Sequence, residues 1–183
     1  MSTTHYEPKV FMSQFPIVKL FVYHITYYRA LSKAYHESKL ENEFWTLTID
    51  AHLLQATIQW CKVFGSDGCN PTHWKNLSQS QSKLLHESFR EGLFLQTGLD
   101  QKVWKHYWEE ILDFRNNYAA HSALEFSKPV PSFDNALKVT YYYDNWIRKI
   151  ILPDTFAEPF LESFASNLDV SVKPLINRLI EVT

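Results

Sequence analysis

Apolar residues recur every three or four positions along most of the chain, and this spacing predicts helices. The first predicted helix covers residues 16–37, with Pro16 in the first turn, where proline is tolerated. The second covers residues 41–64 and ends before Gly65, which is placed as a C-cap glycine. This second helix carries two apolar stripes, so we expect it to be central, with packing neighbours on two sides. The stripes are Phe44, Leu47, Ala51, Leu54, Ile58 and Cys61 on one side, and Trp45, Ile49, Leu53, Ala56, Trp60 and Val63 on the other.

Further helical segments follow, separated by turn residues. They are expected at residues 80–94, 101–118 and 135–152, and near residues 155–167 and 172–181. Asp100 is a predicted N-cap, because its side chain can accept hydrogen bonds from the first free backbone N–H groups of the helix that follows. The longest early loop is expected at residues 66–77. The pattern therefore predicts an all-α chain, with one domain spanning residues 1–183 and short connections between helices.

The amino-acid composition excludes several structural and functional classes for this chain. Hydrophobic residues make up 45% and aromatic residues 16% of the 183 residues, which excludes a disordered chain. Four glycines are too few for an all-β sandwich, and no glycine-rich phosphate loop is present. A net charge of −2 excludes a general affinity for nucleic acid, so RNA contact would need a local patch. Two cysteines, no signal-peptide pattern and no long apolar span predict a cytoplasmic protein without membrane contact.

A charged residue interrupts the apolar face of the fourth predicted helix. At 100° per residue, Arg115 lies at about 20° from Trp104, near the centre of that face. A guanidinium stays charged, so it must pair with a carboxylate or face solvent or an anion. An ion pair with Asp50 or Asp113 is the more common solution, and a cleft or subunit interface at the helix end is the alternative. The other members of the face are Tyr107, Trp108, Ile111, Leu112 and Tyr118.

His121 follows Arg115 at the predicted end of this helix. Histidine can carry a proton near neutral pH, and arginine can hold a phosphate through two parallel hydrogen bonds. Cleavage of RNA by its own 2′-hydroxyl needs these two functions and no metal. The alternative is that His121 is an ordinary loop or capping residue.

The stretch from Asp113 to His121 resembles the signature of the HEPN superfamily, which is an arginine, a polar residue and then a histidine. Five residues separate Arg115 from His121 here, and Asn116 fills the polar position. Residues 60–76 are similar to members of the abortive-infection branch of that superfamily. The resemblance implies an up-and-down four-helix bundle core with additional C-terminal helices. It also implies a homodimer in which two Arg–His motifs share one cleft.

The resemblance further implies a metal-independent endoribonuclease of the toxin or antiviral-defence type. Carried over to this chain, Arg115 would bind the scissile phosphate, His121 would carry the proton, and Asn116 would orient one of them. No cofactor is implied, and RNA and a cognate antitoxin or regulatory protein are the expected partners. The alternative is a non-catalytic RNA-binding or protein-interaction module, as in degenerate members of the superfamily. A third possibility is a plain helical interaction protein in which Arg115 forms a buried ion pair.

Two further groups of residues have both a functional and a structural interpretation. Cys61, Cys69 and His73 could ligate zinc, but they lack the close cysteine pair of structural zinc sites, so no metal is predicted. Trp74 and Lys75 could bind RNA through stacking and charge. The alternative is that Trp74 closes the end of the helix bundle, since large aromatic residues mostly serve cores.

Overall fold

A computed structural model describes residues 6–39, 42–78, 80, 82–119, 128–151 and 157–181. Within these residues the chain forms helices and no strands, so the predicted all-α class is confirmed. The α-helices are α1 (Pro8–Ser38), α2 (Glu43–Phe64), α3 (Ser82–Thr97), α4 (Gln101–Phe114), α5 (Asp134–Ile150) and α6 (Leu161–Glu181). A 3-10 helix at Trp74–Leu77 precedes α3, and a π-helical turn at Arg115–Ala119 continues α4. The four-helix bundle core stays a prediction. No helix in the described ranges combines the length and apolar character that crossing a membrane requires.

Helix α1 begins at Pro8, so the prediction that it starts at Pro16 is wrong. Pro8 occupies the first turn, where a missing N–H leaves no helical bond unmade. Pro16 lies in the helix interior and removes one bond of the ladder. The helix continues because Phe15 and Val18, on either side of the proline, are buried in the core. Burial of a large apolar side chain contributes about 1.5–3 kcal/mol, so two such residues offset much of the lost bond.

Helix α2 begins two residues later than predicted and ends where expected. The side chain of Asn42 caps it by accepting the backbone N–H of Phe44 at 2.8 Å. At the other end, the N–H of Gly65 donates to the carbonyl of Cys61 at 3.0 Å. Gly65 is therefore the C-cap residue, as predicted, and its φ of −79° lies outside the left-handed region. A Cβ at Gly65 would lie 2.5 Å from the Cys61 oxygen, so this position needs glycine for space.

The two apolar stripes of α2 have different surroundings, and the prediction that both are packed is wrong. The stripe that contains Trp45, Leu53 and Trp60 is buried. On the other stripe, Phe44 is 55% exposed and Leu47 is 68% exposed. Helix α2 is therefore covered on one side along its length, and its N-terminal half keeps an open apolar face.

One helix, α6, replaces the two short C-terminal helices that were predicted. Its first residue, Leu161, donates its N–H to the buried carboxylate of Asp144 at 2.7 Å. Arg148 donates to the same carboxylate and to the carbonyl of Pro159, which fixes the start of α6 against α5. Pro174 lies inside α6 on an exposed position and does not end it. Helix α6 then packs along α1.

The main core lies among α1 to α5, with Phe21, Trp60, Phe89 and Tyr143 among its fully buried rings. A second, smaller cluster joins the C-terminal half of α1 to α2 and α6. The N-cap predicted for α4 is confirmed, because a carboxylate oxygen of Asp100 accepts the N–H groups of Lys102 and Val103, each at 2.8 Å. The C-terminal end of α4 stays anchored in the core, because its last residue, Phe114, is buried there.

Candidate functional site

The candidate site lies where α4 ends and its helical ladder widens into a π-helical turn at Arg115–Ala119. Single π turns are rare and often occur at functional sites. The prediction of a regular α-helix to residue 118 is therefore wrong beyond Phe114. The angle of 100° per residue used in the sequence analysis does not apply within the π turn. Tyr118 stacks on Phe114 with 4.9 Å between ring centroids. Its hydroxyl donates to Asp50 at 3.0 Å, so the turn is tied to α2.

Arg115 is half-buried, and its guanidinium is held by the next residue along the chain. Its Nε and one Nη donate to the Asn116 side-chain oxygen at 3.0 and 2.7 Å. Within the described part of the chain Arg115 makes no ion pair. Asp113 instead accepts from Lys128 at 2.7 Å, and Asp50 accepts from Tyr118. The ion pair with Asp50 or Asp113, given above as the more common solution for Arg115, is therefore absent among these residues.

Arg115 lines a cleft of about 360 Å³ between the end of α2 and the loop that follows. Lys62 adds a second cation to the wall, and the described lining residues include no carboxylate. The loop is built onto α2 because the carbonyl of Lys62 accepts from Asn70 at 2.8 Å and from Thr72 at 3.0 Å. Two cations and no acid give the cleft a positive field, which favours an anionic ligand.

Cys61 lies in the wall of the same cleft and is buried. Burial raises the pKa of its thiol to about 12, and the nearby charge of Arg115 reduces this rise only in part. A thiol with so high a pKa stays protonated at neutral pH and is a poor nucleophile. The cleft therefore offers hydrogen-bond donors and positive charge rather than an activated sulfur.

Of the other predicted site residues, the structure brings one into contact with Arg115 and places two away from its cleft. Asn116 contacts Arg115 directly, so these two are brought together. His121 lies outside the described residues, and its role as proton carrier stays a prediction. The 3-10 helix holds Trp74 and Lys75 on a different side of the Gly65 turn, and neither lines the Arg115 cleft.

Trp74 is placed as the packing alternative expects. Its ring is 7% exposed and stacks on Phe89 with 4.2 Å between centroids. His86 and Trp146 contact it edge-on. A ring covered in this way has no free face for an RNA base, so stacking of RNA on Trp74 has no support. Lys75 forms an ion pair with Asp67, which compensates its charge.

The zinc alternative is also unsupported by the geometry of His73. Its Nδ1 accepts the backbone N–H of Lys75 at 3.2 Å, and its Nε2 lies 3.1 Å from the carbonyl of Gly65. Both ring nitrogens are thus engaged by backbone groups, and neither has a lone pair open to a metal. Among the residues that the structure describes, no group of three or more potential metal ligands occurs.

A histidine pair that the sequence did not suggest joins α1 to α2. The Nδ1 atoms of His24 and His52 lie 2.9 Å apart, and Tyr27 packs edge-on against His52. Burial lowers the pKa of both histidines, and the charge of His24 lowers that of His52 further. One ring must donate and the other accept, so the accepting ring is neutral when this bond is made. The spacing of 28 residues gives no local signal, because the contact depends on how two separate helices pack.

Comparison with known proteins gives no relative of this chain. No protein family model matches it, and neither does a curated protein or a solved structure. The HEPN resemblance therefore rests on the motif that begins at Arg115.

Proposed function

We propose that this protein is a metal-independent endoribonuclease in which Arg115 binds the scissile phosphate. One observation carries the proposal. The Arg115 guanidinium is half-buried, lines a cleft with Lys62 and has no carboxylate partner among the described residues. A partly buried charge without a counter-ion is costly, and an anionic ligand would remove that cost. A toxin or antiviral-defence role, with an antitoxin or regulatory protein as partner, is what the HEPN resemblance adds.

The chemistry assigned to the cleft needs one cation and one proton carrier. The Asn116 oxygen takes two of the five guanidinium N–H groups, which fixes the plane of the group and leaves the other edge for two phosphate oxygens. The 2′-oxygen of RNA attacks phosphorus and forms the new P–O bond. The 2′-hydroxyl proton passes to the general base, for which His121 is the candidate. The P–O5′ bond breaks, and the leaving 5′-oxygen takes a proton from water. The products are a 2′,3′-cyclic phosphate and a fragment with a 5′-hydroxyl.

The homodimer belongs to the same proposal, but its surface differs from the one the sequence suggested. The sequence suggested a subunit interface at the end of α4, where Arg115 interrupts the apolar face. Instead Tyr107 and Ile111 are buried in the core of their own chain. The exposed apolar residues Phe44 and Leu47 belong to the same stripe of α2 as Ile58. Ile58 in turn lines the Arg115 cleft. We place the twofold contact on this stripe, because it would bring two clefts onto the same side of the dimer.

The test is cleavage of a structured RNA in EDTA. Arg115→Gln keeps a polar side chain and removes the charge, so we expect cleavage to fall by about 10²–10³-fold while the melting temperature stays close to that of wild type. His121→Ala should reduce the rate by about 10²–10⁴-fold. Arg178→Gln, on the exposed face of α6, is the matched control and should cleave at the wild-type rate. Cleavage by Arg115→Gln at the wild-type rate would contradict the proposal, as would equal cleavage of RNA with a 2′-deoxy group at the scissile position.

A second candidate is a non-catalytic module that binds RNA or another protein. The exposed Phe44 and Leu47 favour it, because an apolar face on a helix is a common docking surface. RNA binding that depends on Arg115, without cleavage in EDTA or in Mg²⁺, would support this second function over the first.

A further inference from the structure

A second cavity, of about 480 Å³, opens between α3 and α4. Helix α3 packs on α5, whereas α4 packs on α2, so the two helices of the α3–α4 hairpin splay apart. The 3-10 helix that begins at Trp74 closes one end of the gap. The cavity shares no lining residue with the Arg115 cleft. Its volume falls within the range of about 300–1,000 Å³ typical of small-molecule sites.

Six of the fourteen described residues that line the cavity are Phe or Trp. Trp104 and Trp108 from α4 and Phe94 from α3 are half-buried there, so part of each ring is open to the cavity. The indole N–H of Trp108 donates to the carbonyl of Phe64 at 2.8 Å, which fixes its orientation. Rings held in place before binding offer stacking surface at little entropic cost. Such a wall suits a flat aromatic ligand.

Cations line the same cavity, and the described lining includes no carboxylate. The cations are Lys75, Arg90 and Lys105. Lys75 is paired with Asp67 and Lys105 lies 3.7 Å from Glu109. Arg90, on α3, makes no ion pair with any residue that the structure describes. A planar guanidinium beside aromatic rings is well suited to hold a phosphate attached to a ring system.

We propose that this cavity binds a nucleotide, with the base against the α3 and α4 rings and the phosphate at Arg90 and Lys105. Aromatic surface and positive charge together favour a ligand that has both a flat ring and an anion. Neither feature alone would select it, because a nucleoside lacks the charge and a sugar phosphate lacks the ring. The proposal stands apart from RNA cleavage at Arg115, since the two sites have no residue in common.

The test is titration with AMP, adenosine and ribose 5-phosphate. Binding is measured by calorimetry and by the fluorescence of the cavity tryptophans. We expect AMP to bind at least about tenfold more tightly than either fragment and to quench the fluorescence by stacking. Arg90→Gln and Lys105→Gln should each weaken AMP binding by about tenfold and leave adenosine binding unchanged. Lys102→Gln is the matched control, because it removes an exposed cation of α4 that does not line the cavity.

The same chemistry could come from a free nucleotide or from the 5′ end of an RNA strand. A 5′-phosphorylated tetranucleotide that displaces AMP at equal concentration would identify the strand end, and failure to displace it would identify the free nucleotide. The proposal is overturned if AMP shows no saturable binding at about 1 mM, if adenosine binds as tightly as AMP, or if the Arg90→Gln, Lys105→Gln double variant binds AMP like wild type. AMP binding by Arg115→Gln keeps this result separate from the outcome of the cleavage assay.

Discussion

His73 is a buried histidine whose environment permits only the neutral ring. It is 2% exposed, and the N–H of Lys75 points at its Nδ1. The proton of the neutral ring therefore lies on Nε2, where it is donated to the carbonyl of Gly65. A second proton would have to enter at Nδ1, against the Lys75 N–H. Burial, and then the charge of Lys75, lower the pKa of His73 to about 4.

The stability of the protein should therefore fall in mild acid. In the unfolded chain a histidine has a pKa of about 6.5, so below this pH the unfolded state binds a proton that the folded state does not. The free energy of unfolding should decrease between about pH 6.5 and about pH 4, by on the order of 3 kcal/mol from His73 alone. The lowered pKa values of His24 and His52 act in the same direction. Urea unfolding at several pH values measures the effect.

His73→Asn is the variant that isolates this contribution. Asparagine can still accept the N–H of Lys75 but does not titrate. We expect it to be less stable than wild type near pH 7, because the bond to Gly65 is lost, and to depend less steeply on pH. A wild-type free energy of unfolding that stays constant from about pH 7 to about pH 4.5 would contradict the assignment.

At the scale of elements, local signals in the sequence located the start of α4 and the end of α2, but they misplaced the start of α1 and the interior prolines. Asp100 marks the start of α4 because a cap acts through its immediate neighbours. Pro16 was expected in the first turn of a helix, and Pro174 falls near the start of the helix predicted near residues 172–181, yet both α1 and α6 continue through these prolines. Burial against other helices decides these cases, and the local pattern does not contain that information.

Gly65 offers a test of how the end of α2 is built. Alanine there would place a Cβ 2.5 Å from the carbonyl oxygen of Cys61, and backbone cannot move aside cheaply. We expect Gly65→Ala to destabilise the protein by about 1–3 kcal/mol. Gly68→Ala is the control three residues away, since its Cβ would meet nothing within 4 Å. It should be neutral or stabilising by up to about 1 kcal/mol. Thermal or urea unfolding that ranks the two variants in the opposite order would rule out this explanation.

At the scale of the whole molecule, one buried polar chain connects parts that are distant in sequence. The hydroxyl of Tyr143 on α5 donates to the Gln14 side chain on α1 at 2.8 Å. The Gln14 amide then donates to the carbonyl of His73 at 2.9 Å. Tyr143 and Gln14 are both fully buried. The chain therefore fixes α1 against α5 and against the loop between α2 and α3.

Removing one hydroxyl from this chain should have a measurable cost. Tyr143→Phe leaves the Gln14 oxygen buried without its donor, and we expect a loss of about 1–3 kcal/mol in the free energy of unfolding. Tyr142→Phe is the neighbouring control, because its hydroxyl donates to the carbonyl of Ser88 at a half-buried position that water can reach. A smaller loss is expected there. Equal losses in urea unfolding would mean that burial of the Tyr143 bond adds nothing.

Some features of the candidate site follow from local sequence, and others depend on contacts between residues distant in the chain. The position of Arg115 on an apolar face, with Asn116 beside it, could be predicted from spacing, and the structure places Arg115 at a cleft with its guanidinium bonded to Asn116. The π turn could not be predicted, because its widened ladder depends on contacts such as that of Tyr118 with Asp50. The cavity between α3 and α4 was also missed. It exists because these helices pack on different neighbours, which is a property of the assembled fold.

The π turn at Arg115–Ala119 also has a consequence for chain length. Such a turn is an α-helix that has taken in one extra residue. Deletion of Asn117 would allow the ordinary ladder to resume, and everything that follows would be rotated by about 100° relative to Arg115. The direction in which the chain leaves α4 therefore depends on how many residues the turn contains as well as on which residues they are. In this segment the deletion of one residue would change the structure more than most substitutions would, even if the deletion kept Arg115, Asn116 and His121.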